Sequence, residues 1–150
     1  MSKKTIAFLV LLIVAPIIVY FLWPSDEARI RKLFREGTKA IEDKKVDDVM
    51  KKVSFNYSDD YGFTYLYIRE GMERMFQTLD NVKIDYSIKK LEIKENTAAA
   101  ELEVRVVAHR GNDAGYIVGS LDKPAQMRFV LDKERGNWHV SRTEGLPFNF

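Results

Sequence analysis

The chain has 150 residues, of which 46% are hydrophobic and 31% charged, a composition typical of a globular protein and not of a disordered one. The formal net charge of +2 is due to Lys3 and Lys4, because the rest of the chain has as many basic as acidic residues. A neutral domain argues against a dedicated nucleic-acid binder, and the absence of cysteine excludes disulfides and thiolate metal sites.

The N-terminal segment predicts a membrane anchor over residues 1–24. Residues 5–23 are uncharged and, as a helix, would be about 28 Å long, close to the thickness of a bilayer's hydrocarbon core. Tyr20 and Trp23 lie where an interfacial aromatic belt is expected. A cleaved signal peptide is the alternative, but no small-x-small cleavage site follows the apolar run. We therefore expect an uncleaved, single-pass anchor in contact with the lipid bilayer.

The orientation of the anchor depends on the flanking basic residues. Lys3 and Lys4 directly precede the apolar run, whereas its other end continues into Asp26 and Glu27, which favours an extracytoplasmic domain. A strict count of nearby positive charges gives the opposite orientation. We expect the extracytoplasmic placement, because long domains are translocated largely regardless of charge.

A helix is predicted to begin at Ser25, a good N-cap residue, with Ile30, Leu33 and Phe34 on one apolar face. Its first half carries a basic cluster near the bilayer: Arg29, Arg31, Lys32 and Arg35. This cluster has two interpretations. It contacts anionic lipid headgroups, or it is a solvated face paired with Glu27, Glu36 and Asp43.

Between residues 46 and 79 the pattern predicts a short helix, a short strand, a turn and a third helix. The short helix covers Val46 to Val53, and the alternation of Phe55 and Tyr57 predicts the strand. Asp59, Asp60 and Gly62 indicate a turn. Apolar residues at helical spacing from Tyr65 to Leu79 predict the third helix.

The second half of the chain predicts an antiparallel sheet. Alternation from Val82 to His109, interrupted by a turn at residues 94–96, indicates a long hairpin with one buried face. The alternation changes parity at Lys89 and Lys90, which predicts a β-bulge. A short strand over Tyr116, Ile117 and Val118 and two longer strands follow, and Phe148 and Phe150 are expected to cover an open end of the core. We expect a strongly bent sheet around the preceding helices.

This order of elements resembles the nuclear transport factor two-like superfamily. The resemblance extends from about Ser25 to Glu144 and includes the motifs Tyr57-x-Asp59-x-x-Gly62 and Gly136-x-Trp138-x-Val140. It implies an α+β cone over residues 25–150, with about three helices packed on the bent sheet. The superfamily contains isomerases, dehydratases, hydrolases, transport adaptors and non-catalytic domains. Membrane-tethered versions occur in bacterial secretion and conjugation, which implies a bacterial inner membrane.

Asp59 is the best catalytic candidate. In the ketosteroid-isomerase branch, an aspartate at the matching position is the general base, and a carboxylate among tyrosines suits proton transfer. The branch also requires an oxyanion pair, and this chain lacks both the helical tyrosine and the late-strand acid. The alternative is that Asp59 and Asp60 organise a turn or cap the third helix. The candidates for lining a ligand pocket are Tyr57, Asp59, Tyr61, Tyr65 and Arg128.

Other chemistry has weaker support in the sequence. His109 and His139 are the only histidines and no acidic cluster accompanies them, so we expect no metal and no cofactor. Glycine-rich phosphate loops and nucleophile motifs are absent. Tyr61, Phe63 and Tyr67 surround a turn, where they either border a pocket or partner surface or pack on the sheet.

The favoured function is therefore a membrane-tethered, non-catalytic binding or scaffold module. It would recognise a partner protein or a small apolar ligand, and a second copy of the chain through the sheet is a further expected partner. The alternative is an isomerase- or dehydratase-like enzyme that uses Asp59 as general acid and base. A third hypothesis is lipid capture by the basic cluster at the membrane surface.

Overall fold

The computed structural model describes residues 2–146. The predicted role of Phe148 and Phe150 therefore lies outside the described residues. The helices are α1 (Lys3–Leu22), α2 (Asp26–Glu42), α3 (Val46–Met50) and α4 (Tyr65–Thr78), and the strands are β1 (Asn81–Lys94), β2 (Thr97–Arg110), β3 (Asp113–Val118), β4 (Ala125–Glu134) and β5 (Asn137–Glu144).

Helix α1 is long and apolar enough to cross a membrane. None of its residues is buried against the domain, and Tyr20 and Trp23 are both exposed at its C-terminal end. Trp23 caps α1, and α2 begins only three residues later, with Ser25 Oγ accepting a hydrogen bond from the Ala28 amide at 3.2 Å. The short connection places the first turn of α2 close to the end of the apolar helix.

Strand β2 is the central strand of the sheet, which has the order β1-β2-β4-β5. One edge of β2 pairs with β1 along its length, while the other edge pairs with β4 over residues 97–104 and with β3 over residues 106–110. The register places Ile88 opposite Leu102 and Lys90 opposite Glu101, so the bulge is at Lys89. The predicted hairpin, bulge and α+β architecture are confirmed.

The concave face of the sheet holds the core. Ile30, Leu33 and Phe34 of α2 pack against the inward-facing residues of the strands, and Ile30 is fully buried. The Phe34 ring meets the Phe129 ring edge-on, with 5.3 Å between centroids. The inward row of β2 is buried throughout: Ala98, Ala100, Leu102, Val104, Val106 and Ala108.

Gly119 allows the chain to pass from β3 into the loop before β4. Its φ of +67° lies in the left-handed region, and a Cβ at this position would be 2.9 Å from both Ala125 N and Val104 O. A side chain would therefore clash with the backbone of β2 and β4 at the point where β3 ends and β4 begins along the same edge of β2.

The strand predicted at Phe55 and Tyr57 does not form. The backbone from Lys52 to Ser58 follows the edge of β5, but it forms only a single-residue bridge between Val53 and Val140. The Ser54 amide donates to Val140 O at 2.9 Å, and the Tyr57 amide then turns back to Ser54 O at 3.0 Å. Because Tyr57 is buried and Ser54 is fixed by Glu134, the chain bends here and does not extend. The short helix α3 likewise ends at Met50, before the predicted Val53.

Asp26 joins the start of α2 to the β4–β5 hairpin. Its carboxylate accepts hydrogen bonds from Trp138 Nε1 at 2.9 Å and from Lys133 Nζ at 3.1 Å. The bond from Trp138, followed by that from Lys133, lowers the pKa of Asp26 below its usual 3.8. Arg29 Nη2 also donates to Gly136 O at 2.6 Å. The first turn of α2 is therefore held by the hairpin that ends the sheet.

Replacing Asp26 by Asn should lower the free energy of unfolding by about 1 kcal/mol at neutral pH, a charge-assisted hydrogen bond discounted for partial exposure. Because folding lowers the pKa of Asp26, its stabilisation is present above pH 3.8 and is lost as the pH falls through the lower folded value. Denaturation of the full-length protein in neutral detergent between pH 2 and 7 measures the difference between wild type and variant. The control Glu27→Gln breaks only an exposed pair with Arg31. An Asp26→Asn effect that persists undiminished at low pH would contradict this account.

The alternation of β2 gives a second prediction. Ala100 is fully buried on the inner face, whereas its neighbour Ala99 is on the outer face. Ala100→Leu should overpack the core and destabilise the protein by about 1–3 kcal/mol, while Ala99→Leu should change stability by less than about 0.5 kcal/mol. Equal effects, measured by the same denaturation experiment, would mean that the inner and outer faces are misassigned.

Candidate functional site

Asp59 organises the loop before α4. Its Oδ1 accepts hydrogen bonds from the amides of Tyr61 at 2.9 Å and Phe63 at 3.0 Å, and its Oδ2 accepts one from the Tyr57 hydroxyl at 2.9 Å. A carboxylate with both oxygens engaged in this way forms an Asx-type turn. The geometry matches the structural alternative that the sequence left open for Asp59.

Tyr57 connects this loop to the sheet. Its side chain is only 3% exposed, and burial raises the pKa of its hydroxyl to about 12, with the hydrogen bond to Thr143 opposing the rise and Asp59 adding to it. Thr143 is itself buried on β5. Tyr57 therefore remains a protonated donor over the physiological pH range and fixes the loop on β5.

Arg128 is not brought together with Asp59. It alternates along β4 with Met127 and Phe129, which pack on the core, so it lies on the outer face of the sheet. Its Nη1 lies 3.8 Å from Glu144 Oε2. The chain of ion pairs continues from Glu144 to Arg142 and from there to Asp60. Arg128 thus faces away from the concave side of the sheet.

Aromatic side chains cover the region around the start of α4. The rings of Phe63 and Tyr67 are stacked at 4.7 Å, Tyr61 lies 6.0 Å from Phe63, and Phe55 lies 4.6 Å from Tyr65. We name this surface the aromatic patch, and it includes Leu66: Phe55, Tyr61, Phe63, Tyr65, Leu66 and Tyr67.

The aromatic patch is exposed to a degree that packing does not explain. Phe55 is 80% exposed, Leu66 68% and Tyr67 52%. At about 100° per residue, Tyr65 shares the inward face of α4 with Met72 and Phe76 and is half-buried, whereas Leu66 and Tyr67 project to the exposed side of the first helical turn. Asp59 holds the amides of Tyr61 and Phe63 and thereby positions two more members of the patch. A large exposed apolar surface of this kind is typical of an interaction site.

The basic cluster of α2 is largely paired, as one of the two interpretations predicts. Arg31 lies 2.9 Å from Glu27, and Lys32 lies 3.6 Å from Glu36. Asp43, the third expected partner, pairs with Lys39 at 3.2 Å. Arg35 is exposed, and among residues 2–146 it has no ion pair.

A groove of about 490 Å³ lies between the first half of α2, the end of α3 and the start of β5. We name it the basic groove, and its lining is Pro24, Ala28, Arg29, Lys32, Leu33, Glu36, Lys51, Lys52, Asn137, Trp138 and His139. A smaller cleft of about 300 Å³ adjoins it. Neither concavity includes any of the five predicted pocket residues.

The sequence did not indicate Lys51, Lys52, Asn137, Trp138 or His139 as members of a site. The only local signal is the adjacent pair of lysines, and such pairs also occur at Lys3–Lys4, Lys44–Lys45 and Lys89–Lys90. Within the described part of the chain, no group of three or more His, Cys, Asp or Glu side chains is arranged to hold a metal ion.

No protein-family model matches the chain, and no curated protein matches it in sequence. Solved structures match it in fold. A protein from Novosphingobium aromaticivorans named after scytalone dehydratase is 11% identical, with a TM-score of 0.67 and coverage of 81% of this chain and 87% of its own. A cystatin-like-fold protein of unknown function from Nostoc punctiforme is 16% identical, with a TM-score of 0.61 and coverage of 79% and 87%.

A third structure, with the name Rd1NTF2_05, is 15% identical, has a TM-score of 0.59, and covers 80% of this chain and 98% of its own. These matches combine similar topology over most of the domain with low identity, which establishes fold and not activity. The chain therefore has the nuclear transport factor two-like fold, an α+β cone of three helices on a bent antiparallel sheet, preceded by an apolar helix.

Proposed function

We propose that this protein is a membrane-tethered, non-catalytic binding module that recognises a partner protein through the aromatic patch. The observation that carries the proposal is the exposure of stacked aromatic side chains around the start of α4, held in place by Asp59. Tyrosine and other aromatic residues dominate the binding energy of protein interfaces, because they bury large area with few rotatable bonds.

In this proposal α1 tethers the domain, with residues 5–23 in a bacterial inner membrane and the domain on the extracytoplasmic side. The length and apolarity of α1 support the tether, and Lys3 and Lys4 at its N-terminal end support the orientation. A reporter enzyme fused after residue 150 tests the orientation. Activity of only a reporter that works in the cytoplasm would show that the domain is cytoplasmic and would refute the proposed orientation.

A protein partner is favoured over a small apolar ligand because the patch is an exposed surface and neither concavity lies beneath it. It is also favoured over a second copy bound through the sheet. The outer face of the sheet carries ion pairs such as Lys89–Glu103, at 3.0 Å, and Arg105–Asp85, at 3.6 Å. Burying these charges in a dimer would cost desolvation energy.

The enzyme alternative rests on Asp59 and on a structural neighbour named after a dehydratase. Fold similarity at 11% identity carries no activity by itself. The hydrogen bonds of Asp59 are those of a turn, and Arg128 is on the other face of the sheet. We therefore assign Asp59 to positioning the patch.

The patch is tested by replacing Phe55 and Tyr67 together by Ser. Capture of partners by the full-length protein from gently solubilised membranes, measured by quantitative mass spectrometry, should fall about tenfold or more, as expected when two interface aromatics are lost. The control replaces Tyr116 and Leu121, which are also exposed but lie outside the patch, by Ser. If the patch variant and the control variant capture the same proteins in equal amounts, the patch is not the binding surface.

Asp59 gives a separate test. Asp59→Ala removes the acceptor for two amides and a buried hydroxyl, so it should lower the free energy of unfolding by about 2–3 kcal/mol. Asp59→Asn keeps an oxygen for the amides and should cost about 1 kcal/mol, with partner capture unchanged. Asp60→Ala is the control, because Asp60 is exposed and makes only a surface ion pair with Arg142. An Asp59→Asn protein of wild-type stability that has lost a measurable turnover would instead support the enzyme.

A further inference from the structure

The basic groove concentrates positive charge in a domain that is neutral as a whole. Arg29, Lys32, Lys51 and Lys52 line it, and Glu36 is the carboxylate among its lining residues. Glu36 is shared between two lysines, because its Oε2 lies 2.5 Å from Lys52 Nζ and its Oε1 lies 3.6 Å from Lys32 Nζ. These two contacts hold the pKa of Glu36 below its usual value, with the Lys52 hydrogen bond the main cause.

The remaining cations are held from outside the groove. Lys51 pairs with Asp48 at 2.8 Å, and Arg29 lies 3.7 Å from Asp26 while donating to Gly136 O. Asp26 is itself shared with Lys133 and Trp138. Each of the four cationic side chains around the groove is thus paired, but the three carboxylates Asp26, Glu36 and Asp48 are shared among these four and Lys133. The positive charge that is left over favours an anionic ligand.

Four of the residues that line the groove are apolar. Leu33 and Trp138 are both buried core residues, and Ala28 and Pro24 complete the lining on the side of α1. A cavity of this volume is within the range of ligand sites in proteins, and a lining that is partly basic and partly apolar suits a ligand with an anionic and an apolar part.

The groove also lies next to the proposed bilayer surface. Pro24 follows the cap of α1 by one residue and lines the groove itself. Lys32 is eight residues further on, at most about 16 Å away, because the chain is extended at Ser25 and helical only from Asp26. The near end of the groove, at Pro24, thus lies within reach of the headgroup layer, which is roughly 5–8 Å thick.

We infer that the basic groove binds the headgroup of an anionic phospholipid, with the phosphate between Lys32, Lys51 and Lys52 and the glycerol end on Trp138 and Leu33. Such a contact would fix the domain's orientation on the membrane and leave the aromatic patch free for its partner. The inference rests on the proposed tether for its biological setting, but binding at the groove does not require α1.

The test uses the full-length protein in a neutral detergent, in a Trp23→Phe background that leaves Trp138 as the remaining tryptophan. Short-chain phosphatidylglycerol, short-chain phosphatidylcholine and inorganic phosphate are titrated separately, and the emission of Trp138 is followed. Phosphatidylglycerol should saturate the change with a Kd at least tenfold lower than that of either other probe, and the affinity should decrease with salt.

The variant pair Lys51→Gln and Lys52→Gln should weaken phosphatidylglycerol binding at least tenfold. Lys89→Gln and Lys90→Gln remove the same charge from an adjacent lysine pair on the outer face of the sheet and should weaken it less than twofold. If both variants lose the same affinity for phosphatidylglycerol, binding depends on the net charge of the protein and not on the groove, and the proposed site is wrong. Equal affinity for phosphatidylcholine would overturn an anionic headgroup as the occupant, and equal affinity for inorganic phosphate would overturn a lipid.

Alkaline carbonate extraction of cell membranes tests the tether independently. Release of the full-length protein into the soluble fraction would refute the tether, while the titration would still report on the groove. Retention in the membrane together with no response of Trp138 to phosphatidylglycerol would refute the groove alone.

Discussion

The domain depends on the packing of one helical face against the central strand. Ile30, Leu33 and Phe34 of α2 lie in the concavity whose floor is β2, and β2 pairs with β1 along one edge and with β4 and β3 along the other. Small residues such as Ala98 and Ala100 form part of that floor, so the helix approaches the sheet closely. The bulge at Lys89 shifts the alternation of β1 by one residue. Apolar side chains before and after the bulge therefore both face the core.

The same packing fills part of the concavity with aromatic side chains. The Phe34 ring lies 5.3 Å from the Phe129 ring and 6.5 Å from the Tyr86 ring. The two surfaces for which we propose binding are at the ends of the helices, the basic groove beside the start of α2 and the aromatic patch around the start of α4. Each is positioned by an aspartate that accepts several hydrogen bonds, Asp26 for the first and Asp59 for the second.

What the sequence predicted well was encoded in local patterns. The alternation along β1 and β2, including its change of parity, predicted the hairpin and the bulge, because a side chain's face in a strand depends only on its position. Tyr57 misled the same method, since its alternation with Phe55 was due to burial in a turn and not to an extended strand. The basic groove could not be predicted, because its residues come from three segments that are far apart in the sequence and meet only in the folded domain.

The net charge of the domain does not predict how charge is distributed over its surface. The neutral total of the domain was a sound argument about long-range attraction, but it averages over faces that differ. On the outer face of the sheet, lysines and arginines alternate with acids across strands, and pairs such as Lys89–Glu103 neutralise each other. Around the basic groove, Glu36 serves two lysines, and Asp26 serves Lys133 and Trp138 as well as Arg29. Because screening confines the effect of exposed charges to about 10 Å, the local balance of charge and not the neutral total is the quantity on which the proposed anionic ligand depends.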